Sequence, residues 1–434
     1  MPSMIRAGLS SYNLMAISIA CGLVGSGVVS PVESAQSHAA SVTRAFSTLS
    51  REQGLISPGV AGQTPGTFPQ IGKALVDTVE NNFYDVQQAR TWGAAHRGYA
   101  DQITDAETFA RYTSSILEGL HSSHTGFYRP TDLSYFGLMS IFEAMLKPAG
   151  VWYESIGVDL DKRPEGYFVR TVFAGGPADK VGVRRGDLLL SADGKPFAPI
   201  TSFQNRQGQA VTLQVQRQPH SPPVAVAVRP QHVKPREEWL QAQKAGTHIV
   251  TRSNRQIGYI PMFSGAGDEV QEAVQEAIAG PLQKADALIL DFRNGFGGFN
   301  PDFVSLFDPA VPALTLRDRT GKSIVLDRHW RKPLYVLINN GSHSGKEVVA
   351  FALQKHHRAI LVGERTGGAV LGGRPFLLSD GSLLYLAVTN GEVDGQRLEG
   401  KGVKPDREVA DVLPFAQGED RQLEAALQLA AGKR

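Results

Sequence analysis

The segment Asn339-Asn340-Gly341-Ser342-His343-Ser344-Gly345-Lys346-Glu347 follows an apolar run, Leu334 to Ile338, and opens a helical pattern from Ser344 to Gln354. A serine at such a strand-to-helix turn is exposed, and the N–H groups that begin the helix point the same way. The turn therefore offers a nucleophile, Ser344, and one oxyanion donor, the N–H of Gly345. Taken alone, Ser344 is equally a helix N-cap, the common task of serine at this place. His343 stands midway between Gly341 and Gly345, so the turn departs from the Gly-x-Ser-x-Gly elbow. A second loop, Gly295-Phe296-Gly297-Gly298, also follows an apolar run and can present another N–H to an oxyanion. As a phosphate cradle it lacks the lysine and serine of a P-loop and the spacing of a dinucleotide fingerprint.

Composition narrows the rest. Hydrophobic residues make up 42% of the 434 and charged residues 20%, which excludes a largely disordered or fibrous chain. Lys+Arg 44 less Asp+Glu 42 leaves a net charge of +2. That balance gives no electrostatic footprint for nucleic acid. The single cysteine, Cys21, forbids an intramolecular disulfide or a thiolate metal cluster. At ~150 residues per domain the length suggests about three domains.

The N-terminus has one positive charge, Arg6, ahead of Leu14 to Val29, which carries no charge. The run is shorter than the ~20 apolar residues of a spanning helix and is rich in glycine and serine. It reads as a secretory signal peptide, residues 1–35, with an uncleaved signal anchor as the alternative. Export places the chain in the periplasm or outside the cell, and leader removal takes Cys21 with it. Residues 36–67, rich in Ser, Gly, Pro and Ala, read as a linker.

From residue 68 to 150 the pattern is helical. Ile71, Leu75, Val79 and Phe83 recur every four residues, and Phe109, Tyr112, Ile116, Leu117 and Leu120 share a face. Thr104 and Glu107 have the spacing of a capping box, and Leu133 to Leu146 predicts one further helix. Residues 155–232 change to short alternating strands with turns at Pro164-Glu165-Gly166 and Ala192-Asp193-Gly194-Lys195. From residue 235 to 434, buried apolar strands (Ile257–Ile260, Ala287–Phe292, Leu334–Ile338, Ala359–Val362) alternate with helices. The pattern predicts an α/β domain with a mixed or parallel sheet covered on both faces. Both glycine-rich loops then lie beyond the carboxyl ends of strands, where such sheets bind ligands.

Two resemblances follow. Residues 155–232, with Gly176-Pro177-Ala178 and Val183-Arg184-Arg185-Gly186-Asp187-Leu188, resemble a PDZ domain of the secreted-protease type. The resemblance implies a loop at Ile156-Gly157-Val158 that binds an extended peptide; the alternative is a blocked groove that only spaces its neighbours. Five segments from Gly258 to Asp406 resemble the catalytic domain of the C-terminal processing serine peptidases and their tricorn-like relatives. These are Ile257-Gly258-Tyr259-Ile260, Leu290 to Asn294 with Gly297-Gly298, Ser344 to Glu347, Val362 to Gly368, and Glu399 to Asp406. The implied fold is a mixed sheet with crotonase-like ββα units.

The processing peptidases place the lysine of a Ser/Lys dyad where this chain has Ala369, so the resemblance implies the other, tricorn-like apparatus. Ser344 is then the nucleophile and His124 the general base, with Ser123 and Glu399 completing a tetrad. Gly345 with Gly297 or Gly298 forms the oxyanion hole. His121 competes with His124 and Glu392 with Glu399. Lys346, at the start of a helix, is expected to point to solvent, and His343 is read as a loop residue. The expectation is an exported serine endopeptidase acting on peptides or unfolded protein, with no metal or organic cofactor. The alternatives are an inactive peptide- or lipophile-binding relative and an esterase that uses Ser344.

Overall fold

A computed structural model describes residues 66–147 and 150–432. The expected leader, and the linker up to residue 65, lie outside the described residues. Three helices come first: α1 (Phe68–Asn82), α2 (Val86–His96) and α3 (Ala106–Glu118). Ile71, Leu75, Val79 and Phe83 are all buried, as their spacing requires. Asp105 rather than Thr104 caps α3, its carboxylate accepting from the Thr108 N–H at 2.8 Å. Tyr112 is exposed, contrary to expectation, because the buried stripe of α3 centres on Phe109, Thr113 and Leu117 and leaves Tyr112 at its edge, stacked on Tyr99. After β1 (Gly126–Tyr128), the expected single helix is broken at Phe142 into α4 (Leu133–Ile141) and α5 (Glu143–Leu146).

An antiparallel unit follows. Its strands are β2 (Tyr153–Ser155), β3 (Val158–Arg163) and β4 (Gly166–Val172), then, after the short α6 (Pro177–Lys180), β5 (Leu188–Ala192) and β6 (Lys195–Pro196). β7 (Val211–Gln216), β8 (Val224–Val228) and β9 (Gln231–Val233) complete it. The order is β3-β4-β5-β7-β8, with β6 on β5, so β3 is an edge strand. Val211, Leu213 and Val215 are buried in alternation along β7. β2 pairs with β9, so the chain enters and leaves the unit through adjoining strands.

The last part contains α7 (Pro235–Gly246), β10 (His248–Arg252), β11 (Arg255–Pro261), α8 (Asp268–Ala279), β12 (Ala287–Asp291), β13 (Leu314–Arg317), β14 (Ser323–Leu326) and β15 (Leu334–Ile338). Then come α9 (Gly345–Lys355), β16 (Ile360–Gly363), β17 (Gly372–Leu377), β18 (Leu383–Thr389), β19 (Arg407–Glu408) and α10 (Arg421–Ala430). The main sheet has the order β10-β11-β12-β15-β16-β19 and is parallel except for the β10–β11 pair. Every residue of β12 is buried, which is why Ala287 to Leu290 is a continuous apolar run; the buried Asp291 at its end is paired with Tyr259 and Arg293. Val270 and Val274 of α8 and Val349 and Leu353 of α9 pack on one face. Ala426, Leu427 and Ala430 of α10 cover the other, against Ile257, Ile289 and Leu337.

The three N-terminal helices do not close a core by themselves. Leu384, Leu386 and Ala387 of β18 lie in one cluster with Leu75, Val79 and Phe109. β1 also pairs with β18, Gly126 opposite Tyr385. Each buried leucine or phenylalanine contributes about 1.5–3 kcal/mol, so this shared core fixes the segment just before β1, which carries His124. Among the described residues no helix is long and apolar enough to cross a membrane.

Candidate active site

β12 and β15 are neighbouring parallel strands, so the loops that leave them emerge on one rim. The two loops are stitched together: the Asn294 N–H donates to Asn339 Oδ1 at 3.1 Å, and Asn339 Nδ2 donates to Asn294 Oδ1 at 3.0 Å. The Ser342 hydroxyl donates to the Phe292 carbonyl at 2.9 Å and accepts from the Asn339 N–H at 3.0 Å. These bonds leave few buried polar groups of the rim unpaired.

Ser344 begins α9 with φ 57° and ψ −125°. An ordinary N-cap is extended, whereas this conformation costs a non-glycine residue of order 1–3 kcal/mol. The strain is held by neighbours. The Ser344 N–H donates to the Ala369 carbonyl at 2.7 Å and to Glu347 Oε2 at 3.2 Å. Glu347 is buried and also accepts from the Thr366 hydroxyl at 2.5 Å, the Gly368 N–H at 2.8 Å and the Ala369 N–H at 2.7 Å. Burial pushes its pKa up, and these hydrogen bonds pull against that.

The glycine loop closes over this turn. A Cβ added to Gly297 would stand 2.7 Å from the Ser344 Cβ and 2.8 Å from the Gly345 nitrogen. Only glycine permits so close an approach. The Gly297 carbonyl accepts from the Gly265 N–H at 2.8 Å, which turns the peptide. A Cβ on Gly345 would lie 3.2 Å from the Gly298 nitrogen. The expected donors Gly345, Gly297 and Gly298 are thus adjacent.

Ser123 and His124 lie between α3 and β1. Ser123 Oγ is 2.9 Å from His124 Nδ1 and donates to Glu399 Oε2, also at 2.9 Å, while the Ser123 N–H donates to Glu399 Oε1 at 3.0 Å. Glu399 Oε2 also accepts from the Val370 N–H at 2.7 Å. Because the Ser123 proton goes to the carboxylate, Ser123 Oγ must accept from Nδ1–H. The Nε2 lone pair is then free. Burial pulls the His124 pKa down to about 4; Glu399 raises it and His343 lowers it. The imidazole is therefore neutral at pH 7.

Ser123, His124, Gly297, His343 and Ser344 all line one cavity of about 720 Å³. Aromatic side chains, including Phe142, Trp239 and Tyr385, form much of its wall. His343 thus faces the site, and burial pulls its pKa down. His121 and Glu392 are exposed and line no part of the cavity. Among the described residues no cluster of three or more His, Cys, Asp or Glu is placed to hold a metal ion.

Lys346 corrects an expectation. It does not reach solvent; it is fully buried, because the glycine loop lies over the first turn of α9. Its ammonium donates to the Met262 carbonyl at 2.7 Å and to the Asn294 carbonyl. Burial lowers its pKa to about 7, Asp291 and Asp159 raise it, and Arg170 adds to the lowering. The sequence alone gives no role to Lys346, Glu347, Thr366 or the Asn294–Asn339 pair. The one available signal was a charged pair, Lys346-Glu347, at the head of the apolar run Val348 to Leu353.

In the antiparallel unit, Ile156 is buried in the core and its carbonyl accepts from the Ala178 N–H at 2.8 Å. Gly157 has φ 74° and receives the Phe173 N–H on its carbonyl at 2.9 Å. β3 therefore starts at Val158, which lines the same cavity as Ser344.

Comparison with known proteins agrees with this architecture. Peptidase family S41 matches residues 256–409, and a PDZ domain matches residues 168–217. A chloroplastic carboxyl-terminal-processing peptidase 2 of Arabidopsis thaliana is 26% identical over 360 residues, 74% of this chain and 68% of that protein. A probable CtpA-like serine protease of Staphylococcus aureus is 27% identical over 278 residues, 58% of this chain. The chain spans about half the length, 52%, of that staphylococcal relative. Among solved structures, a photosystem II D1 C-terminal processing protease aligns over 82% of this chain and 99% of its own, at 22% identity and a TM-score of 0.48. Residues 256–409 are thus similar to peptidase family S41 and residues 168–217 to a PDZ domain, and with relatives named as serine proteases the chain is a serine-type peptidase.

Proposed function

We propose that the chain is an exported endopeptidase that cleaves unstructured peptides through an acyl-enzyme on Ser344. The observation that carries this reading is the strained conformation of Ser344, which an N-cap does not need and a presented nucleophile does. His124 Nε2 takes the Ser344 proton as Oγ attacks the substrate carbonyl carbon. The oxyanion is received by the N–H of Gly345 and that of Gly297 or Gly298. Collapse breaks the C–N bond, and the proton passes from Nε2 to the leaving amine. Water, deprotonated by the same nitrogen, then hydrolyses the ester. Glu399 holds Ser123, and Ser123 holds the Nδ1–H tautomer, the service an aspartate gives in simpler triads. Val158 at the edge of β3 gives an extended peptide a strand to pair with beside the cavity. Export rests on the uncharged run Leu14 to Val29 behind Arg6 and on the absence of cysteine after residue 21.

The test is labelling by a fluorophosphonate probe, with hydrolysis of an unfolded protein measured alongside. Wild type should be labelled and should cleave, and Ser344→Ala should do neither. No labelling of wild type removes the enzyme reading in favour of a binding protein. Labelling with ester hydrolysis but no peptide cleavage identifies an esterase.

A further inference from the structure

Lys346 is a buried ionisable group beside the site that this mechanism leaves without a task. Its side chain is fully buried and does not line the cavity. Both of its recorded hydrogen bonds go to main-chain carbonyls, those of Met262 and Asn294. A buried cation with no carboxylate bonded to it is costly, and a methionine would fill the same volume without that cost. The two carbonyls belong to the segments that leave β11 and β12, and Asn294 opens the loop that carries Gly297 and Gly298. A Cβ placed on Gly295 would lie 3.2 Å from the ammonium, so the loop wraps directly over it. Lys346 itself follows Gly345 in the first turn of α9.

We infer that Lys346 is a positioning residue: it ties the Asn294–Gly298 loop to the first turn of α9 and so holds the oxyanion donors of both segments at one separation. The inference rests on the acyl-enzyme reading above. Lys346 does not act as the base, since it stands outside the cavity and its hydrogen bonds go to the main-chain carbonyls of Met262 and Asn294. Its effect belongs to the tetrahedral state, when negative charge forms between the two donors, and not to the binding of substrate.

Lys346→Met tests it, since it keeps the volume and removes the donor. Fluorophosphonate labelling of Ser344 and kcat on an unstructured peptide should both fall at least ~10-fold, with KM held within ~2-fold. A peptide boronate, which mimics the tetrahedral state, should lose affinity in step with kcat/KM. Lys346→Gln keeps a shorter donor and should recover part of the loss; it decides the matter where Lys346→Met does not fold. Labelling and kcat equal to wild type in a folded variant overturn the inference. So does a loss carried by KM, which would mark the lysine as support for the fold alone. Absence of labelling in wild type is a different failure, that of the acyl-enzyme reading itself.

Discussion

Ser123 and Glu399, far apart in the chain, meet through two parallel hydrogen bonds, the Ser123 N–H to Oε1 at 3.0 Å and its hydroxyl to Oε2 at 2.9 Å. The carboxylate can only accept, so it sets the direction of every proton between itself and His124. Glu399→Gln keeps the shape and adds a donor that can reverse this direction. The expected loss in kcat is on the order of 10²–10⁴-fold with the fold intact. Steady-state hydrolysis beside a melting curve measures it, and an unchanged kcat removes Glu399 from the proposed tetrad.

The acid side of the pH profile follows from His124. In the proposed mechanism protonation of His124 removes the base, and burial, which disfavours the charged imidazole, brings its pKa down to about 4. Activity should therefore persist down to about pH 4 and fall below it. Since Glu399 raises this pKa, Glu399→Gln should move the acid limb lower still. A limb centred near the ordinary histidine value of about 6.5 would contradict the buried, neutral imidazole.

Gly297→Ala introduces a methyl group 2.7 Å from the Ser344 Cβ and 2.8 Å from the Gly345 nitrogen. The neighbours are a strained turn and main chain, neither able to yield, so the loop must move. A lost oxyanion donor costs ~3 kcal/mol, or roughly 10²-fold in kcat. Titration with an active-site label gives the rate directly, and wild-type labelling by a folded Gly297→Ala variant would exclude this loop from the oxyanion hole.

Leu384→Ala tests the shared core. The side chain is fully buried between β18 and the N-terminal helices. The substitution should lower stability by ~2–5 kcal/mol. Chemical denaturation should show one transition shifted as a whole. Two transitions, with only the helices melting early, would show that the helices and β18 unfold separately.

The central strands β12, β15 and β16 of the main sheet are legible because each is built on an apolar run, and Leu334–Ile338 has the expected limits, whereas β10 and β19 carry no such run. Ser344, Ser123, His124 and Glu399 stand out only as motifs in order, since no local pattern says that residues near position 123 and position 399 meet. Lys346 reads as exposed because lysines in first helical turns ordinarily are. Its burial depends on a loop that arrives from another strand. The partnership of α1 and α3 with β18 is equally invisible, as it joins periodic segments whose pairing is set by topology. Where local chemistry competes, the stronger group prevails: Asp105 displaces Thr104 as cap because an ionised acceptor bonds the helix N–H groups better.

The placement of β17 and β18 beneath the first helices also orders events in time. Residues 68–118 reach the outside of the ribosome long before residues 372–389, and until then their apolar face has no partner. The nascent chain thus carries the His124 imidazole early but gains a fixed seat for it only once β17 and β18 have followed.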